Sequence, residues 1–156
     1  MGGGILPIAH YKNKTYLLFG KEAYDGKWSD FGGKAEHNET PFDTAIREGC
    51  EELCGFLGCK SALKSLVRKN KRATFHVNGF HTYVFEIPYD PLLPSYFNQN
   101  FSFIKKNLPH LVNVNGMFEK SQIKWFDIST LHFYKKNFRP FYKNMLETIL
   151  QNSDNL

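Results

Sequence analysis

At 156 residues the chain is sized for one domain with a real hydrophobic core. Apolar residues make up 42% and charged residues 22%, which excludes wholesale disorder, and no apolar run approaches the roughly 18–20 residues that a membrane-spanning helix needs. The net charge of +5, from 20 Lys plus Arg against 15 Asp plus Glu, favours anionic partners such as nucleotides, RNA or inositol phosphates.

Met1-Gly2-Gly3-Gly4 has no basic start and no long apolar run, so it does not read as a signal peptide. Gly4–His10 is short, apolar and carries a proline, which predicts an edge strand. With Thr15–Phe19 it forms a hairpin across the polar turn Tyr11–Lys14. Lys21–Asp30 reads as a polar loop leading into Gly32-Gly33. From Thr40, a candidate N-cap followed by Pro41, the pattern turns helical: Phe42, Ala45, Ile46, Cys50 and Leu53 form an apolar stripe, and Gly55 is a natural stop.

Ser61–Asn70 predicts a short basic helix or helical loop. Ala73–Val77 and His81–Ile87 predict two strands joined through Asn78-Gly79, a strong hairpin signal. Asp90–Gly116, punctuated by prolines and rich in aromatics, predicts an insertion with a helical centre near Tyr96–Asn107. Ile123–Phe126 is a further strand, and Pro140–Leu150 a closing amphipathic helix. Strands on either side of a central helix predict a single α/β (α+β) domain over 1–156, an α/β/α sandwich with a mixed sheet.

Cys50, Cys54 and Cys59 crowd into ten residues. Cys50 and Cys54 share a helical face, which predicts small buried thiols rather than a disulfide, and a reducing, cytoplasmic setting. A zinc site is disfavoured, because neither a second Cys-x-x-Cys nor a nearby histidine completes four ligands.

Glu48, Glu51 and Glu52 are the chemical focus. In an α-helix they sit at 0°, about −60° and about +40°, on one face. Like charges so placed repel, and a hard divalent cation resolves the conflict through oxygen ligands. Arg47 precedes them as an orienting partner, with Glu39 within its reach.

Read from Gly33, the chain gives five residues, Glu39, seven residues, Arg47-Glu48, two residues and Glu51-Glu52. This resembles the Nudix box, G-x5-E-x7-R-E-U-x-E-E-x-G-U, where U is a bulky aliphatic residue. Gly32 and Glu36 match the frequent G-G-x-x-E opening. Two positions depart: Gly49 stands where U is expected, and after Glu52 the glycine arrives one residue late, at Gly55. Glu119 followed by Trp125-Phe126 resembles a later acidic loop and strand of the same family.

The resemblance implies a Nudix hydrolase that uses Mg²⁺ or Mn²⁺ to cleave a phosphoanhydride (pyrophosphate) bond in a nucleoside diphosphate-linked substrate. It implies Glu48, Glu51 and Glu52 as metal ligands, with the Gly32 carbonyl as a further one. It implies Glu51, Glu52, Glu119 and Arg47 as the catalytic set, with the general base either a box glutamate or an acidic residue of a later loop, for which Glu119 is the candidate. Lys34 and Glu36 beside the box glycines are candidate substrate contacts. So are Lys64 and Arg68, from the basic run Lys60–Arg72. Trp28, Phe31, Phe75, Tyr83 and Phe118 are candidate stacking faces for a base.

The same residues fit other readings. The lysine-rich composition resembles Nudix proteins of large DNA viruses, which would make capped RNA the partner and mRNA decapping the reaction. Diphosphoinositol polyphosphates are a second option. A catalytically inactive module binding RNA or protein is a third, and the intact glutamate trio argues against it. Family habit leaves a monomer or a homodimer open.

Overall fold

A computed structural model describes all 156 residues. The first strand is the hub. β1 (Gly2–Tyr11) turns at Lys12-Asn13, both with positive φ, into the antiparallel β2 (Lys14–Glu22). Its first half also pairs antiparallel with β4 (Phe31–Lys34), and its Gly2–Ile8 stretch runs parallel to β6 (Phe80–Glu86). β3 (Trp28–Ser29) and β7 (Lys120–Asp127) add to β2, and β5 (Lys71–Val77) to β6, completing a mixed seven-stranded sheet. Asn78 and Gly79, both with positive φ, make the β5–β6 turn as the sequence predicts.

β1 is therefore not an edge strand. Pro7 is tolerated at its centre because of where its missing N–H would point. Gly2 donates, and Ile8 accepts, on the β6 side, so alternation turns Pro7 to the opposite side. There it falls between the last β4 pair, Ile5 with Phe31, and the first β2 pair, Ile8 with Leu17. No ladder bond is lost.

Both faces of the sheet are covered, which makes the predicted α/β/α sandwich. Ile5, Ala9, Leu18 and Phe85 point to the side of α1 (Pro41–Glu52), α2 (Lys60–Lys69) and α3 (Leu92–Asn107). Leu6, Ile8, Leu17 and Phe19 face α4 (Lys143–Gln151) and the aromatic segment before it, Phe138 and Tyr142 included. α3, the helical centre of the 90–116 stretch, packs against β7 and buries Phe97 and Phe101.

Two local expectations change. Gly49 is no gap in the packing. It is buried, and a Cβ there would strike the Ile5 side chain, so α1 lies on β1 more closely than an aliphatic residue would permit. The cysteines are not three free thiols: Cys50 is bonded to Cys59 and only Cys54 is free. Cys54, Gly55 and Gly58 all take positive φ, folding the chain back so that Cys59, at the start of α2, meets Cys50 on α1. The cysteines thus give no ground for a reducing compartment. No helix is long and apolar enough to cross a membrane.

Candidate active site

The box helix starts where the sequence places it. Thr40 caps α1 by accepting from the Asp43 amide at 3.1 Å, and the Asp43 carboxylate accepts from the Thr40 amide at 3.2 Å. That reciprocal pair satisfies two helix-end donors and fixes the helix phase. The phase sends Glu48, Glu51 and Glu52 into a cleft of about 980 Å³. Glu36, Gly32 and Gly33 line it from β4 and the loop that follows, and Glu119 from the loop just before β7 (Lys120–Asp127). Gly33 is required by close approach: a Cβ there would lie 2.5 Å from a Glu48 carboxylate oxygen.

Arg47 organises the rim. Its guanidinium donates to both oxygens of Glu39 at 2.9 Å, to Glu48 Oε1 at 2.9 Å, to Glu51 Oε2 at 3.5 Å and to the Lys34 carbonyl at 3.1 Å. Its hydrogen bond holds the Glu39 carboxyl below the ordinary value. Burial, and then the Glu48 charge, raise the Glu51 carboxyl. Burial and the charge of Glu22 raise Glu119, and burial pushes Glu52 well above the usual range. Carboxyls raised by burial and by one another's charge are the electrostatic sign of a site short of positive charge.

Sequence reasoning missed the inner wall. Lys120, to which the sequence assigned no role, is completely buried. Its ammonium donates to Glu22 Oε1 and Ser29 Oγ at 2.9 Å each and lies 3.2 Å from Glu52 Oε2. Arg139 meets the same Glu22 oxygen at 3.2 Å. Below this row, Asp30 is buried and accepts from Thr82 Oγ1 at 2.7 Å; burial raises its carboxyl to about 7. None of these residues belongs to a recognisable motif. Strict alternation in β7 would set Lys120 with exposed Lys124 rather than with Ile123 and Trp125, and the register shift between Lys21 and Glu22 is what brings it inward.

The other predicted contacts fall elsewhere. Lys64 and Arg68 lie outside the cleft, with Lys64 3.4 Å from Asp43 and both cations over the Phe42 ring. Lys34 lines a neighbouring hollow that shares Gly32, Gly33 and Arg139 with the cleft. The cations that do line the cleft are Lys105 and Arg139. Of the candidate stacking faces only Phe118 lines it, beside Tyr24 and Phe101, whereas Phe31 and Trp28 are core residues.

The donor set is carboxylate and carbonyl oxygen, as a hard divalent cation requires. Glu52 Oε2 is buried and receives no hydrogen bond; its 3.2 Å approach to Lys120 is a contact of charge, not an aligned bond. In the present arrangement no three His, Cys, Asp or Glu side chains converge on one point. Glu48 and Glu51 turn to Arg47, and Glu52 to Lys120. Donor chemistry therefore fits Mg²⁺ or Mn²⁺, and ligation requires these carboxylates to swing away from their present partners.

No family model matches the sequence, and no curated protein matches it. Solved structures do. A C. elegans Ap4A hydrolase in a binary complex is similar over 99% of this chain and 98% of its own, with 13% identity and a TM-score of 0.57. RenU, a Nudix hydrolase from M. Smegmatis, is similar over 99% and 86%, with 13% identity and a TM-score of 0.55. A bifunctional NMN adenylyltransferase/ADP ribose pyrophosphatase from Francisella tularensis has 17% identity and a TM-score of 0.61 over 96% of this chain and 40% of that one. At such identities the likeness is one of fold. This chain has the Nudix hydrolase fold.

Proposed function

We propose that the chain is a divalent-metal-dependent hydrolase that cleaves a phosphoanhydride bond in a nucleoside diphosphate-linked substrate. One observation carries this reading: Glu36, Glu48, Glu51, Glu52 and Glu119, from three separate parts of the chain, line a single cleft. An exposed acidic helix face would not recruit Glu119 from the loop before β7 or the glycine pair from β4. The neighbours named for Ap4A and for ADP ribose act on compounds of this chemical kind, which supports the substrate class.

In this reading Glu48, Glu51 and Glu52 hold Mg²⁺ or Mn²⁺, with the Gly32 carbonyl beside them. The metal supplies neutralisation of the phosphate oxygens and orientation of a water. The chain's own residues do the rest. Glu119, its carboxyl raised by burial, accepts the proton of the attacking water. Arg47 touches no substrate in this scheme; it positions Glu48 and Glu51 and is itself fixed by Glu39. Lys105 and Arg139, rather than Lys64 and Arg68, meet the anionic substrate at the cleft walls.

The test is a panel assay with Mg²⁺ or Mn²⁺ over nucleoside diphosphate sugars, dinucleoside polyphosphates, diphosphoinositols and capped RNA. Turnover is expected on the first two classes and is expected to collapse in Glu51→Gln and Glu52→Gln. A wild type inert on the whole panel, yet binding RNA tightly, would establish the inactive binding module instead.

A further inference from the structure

Behind Glu52 the protein carries a cation of its own. The Lys120 ammonium is sealed from solvent, and three oxygens surround it: Glu22 Oε1 and Ser29 Oγ at 2.9 Å, and Glu52 Oε2 at 3.2 Å. They come from β2, β3 and α1. An ammonium has three N–H groups to place, and a buried one without partners is costly enough to give up its proton. Here Glu22 and Ser29 accept two of the three N–H groups, and Glu52 Oε2 faces the ammonium from the third side.

The three contacts are not equivalent. Those to Glu22 and Ser29 are aligned hydrogen bonds. The approach to Glu52 is not, and that oxygen receives no hydrogen bond from any group. Lys120 is therefore anchored by Glu22 and Ser29 and does not depend on Glu52 to stay in place. Glu52 in turn is claimed from two sides, since it lines the cleft while its Oε2 faces the ammonium. No other box carboxylate is paired with Lys120: Glu48 and Glu51 are held by Arg47.

We propose that Lys120 competes with the divalent cation for Glu52 and so sets how tightly this chain holds its metal. The proposal rests on reading the cleft as a metal site. A fixed positive charge next to a ligand oxygen repels an incoming divalent ion, and burial keeps water from screening that repulsion. The same charge holds Glu52 in position before the metal arrives. The result is a site of tempered affinity, in which metal capture is weaker than the number of carboxylates implies.

The experiment is a Mn²⁺ titration of the full chain without substrate, with free ion followed by electron paramagnetic resonance. Lys120→Met, apolar and of similar length, is expected to bind Mn²⁺ at least tenfold more tightly than the wild type. Lys120→Gln is expected to move in the same direction and serves should the Met variant fail to fold, which thermal melting reveals. Structural damage alone would lower affinity, so a gain is diagnostic. Lys105→Met removes a cation from the same cleft that is not paired with any carboxylate, and it is expected to change affinity less than twofold. Equal or weaker binding in the Lys120 variants overturns the proposal, as does an equal gain in Lys105→Met. Absence of Mn²⁺ binding in the wild type and every variant overturns the metal reading itself, and this proposal with it.

Discussion

Arg47 grips Glu39 through two parallel bonds, Nε to Oε2 and Nη2 to Oε1, each 2.9 Å long. The remaining guanidinium nitrogen is thereby aimed at Glu48. A lysine offers one charged point and cannot hold both carboxylates in this geometry. Arg47→Lys is expected to lower kcat about 10–100-fold, the usual effect of losing a ligand's supporting contact, with little change in melting temperature. Steady-state kinetics on the substrate identified by the panel, beside a thermal melt, check it. Unchanged kcat would remove Arg47 from the machinery.

Gly49 predicts a coupled pair. A side chain there collides with Ile5, and overpacking of this kind costs about 1–3 kcal/mol. Gly49→Val is expected to be destabilised by about that amount in urea unfolding, despite the helix propensity gained over glycine. Combining it with Ile5→Ala is expected to recover part of the loss, since the two sites share one space. Strictly additive effects would show that α1 and β1 are not in contact here.

Asp30 predicts a pH dependence with a definite sign. Its folded carboxyl titrates at about 7, against 3.8 for the ordinary side chain, because it is buried. Between those values the folded state binds more protons than the unfolded one, so stability falls as pH rises. The contribution is fully present below about pH 4 and is lost as pH climbs through about 7, with a limiting slope of about 1.4 kcal/mol per unit. Asp30→Asn is expected to flatten this part of the profile. Urea unfolding in EDTA between pH 4 and 8 measures it, and an unchanged slope would refute the assignment.

The bond between Cys50 and Cys59 closes a loop of nine residues' separation joining α1 to α2. Closing a loop of this size stabilises by about 3 kcal/mol in the chain-entropy view. Reductant, or the Cys50→Ala/Cys59→Ala pair, is expected to lower unfolding free energy by about 2–3 kcal/mol, while Cys54→Ser leaves the reductant sensitivity intact. A wild type indifferent to reductant would mean that the thiols are unpaired in solution.

What could be read from the sequence, and what could not, follows from the range of the forces involved. Thr40, Pro41 and the spacing of Glu48, Glu51 and Glu52 are local signals, and the helix they predict stands where they place it. Asn78-Gly79 is equally local and gives its hairpin. Pro7 misled because a strand's position in a sheet depends on neighbours elsewhere in the chain: β6 lies far along the sequence and pairs in parallel. Lys120 was hidden for the same reason. Its partners Glu22, Ser29 and Glu52 are scattered through the sequence, and a lysine's buried state is set by them rather than by its own type. Gly49 looked like a defect until Ile5 stood opposite it.

The parallel pairing of β1 with β6 has a consequence for how the chain acquires its shape. β2 follows β1 at once and can close on it as a local hairpin, but Gly2 must wait for Phe80 and Ile8 for Glu86. During synthesis one edge of the first strand therefore stays open until β6 has left the ribosome, and contacts of such sequence span form slowly. The box helix emerges in that interval, before the sheet it packs on is complete. Its capping pair and its bond to α2 act within the segment already made, so the acidic helix can be held together while the platform beneath it is still being assembled.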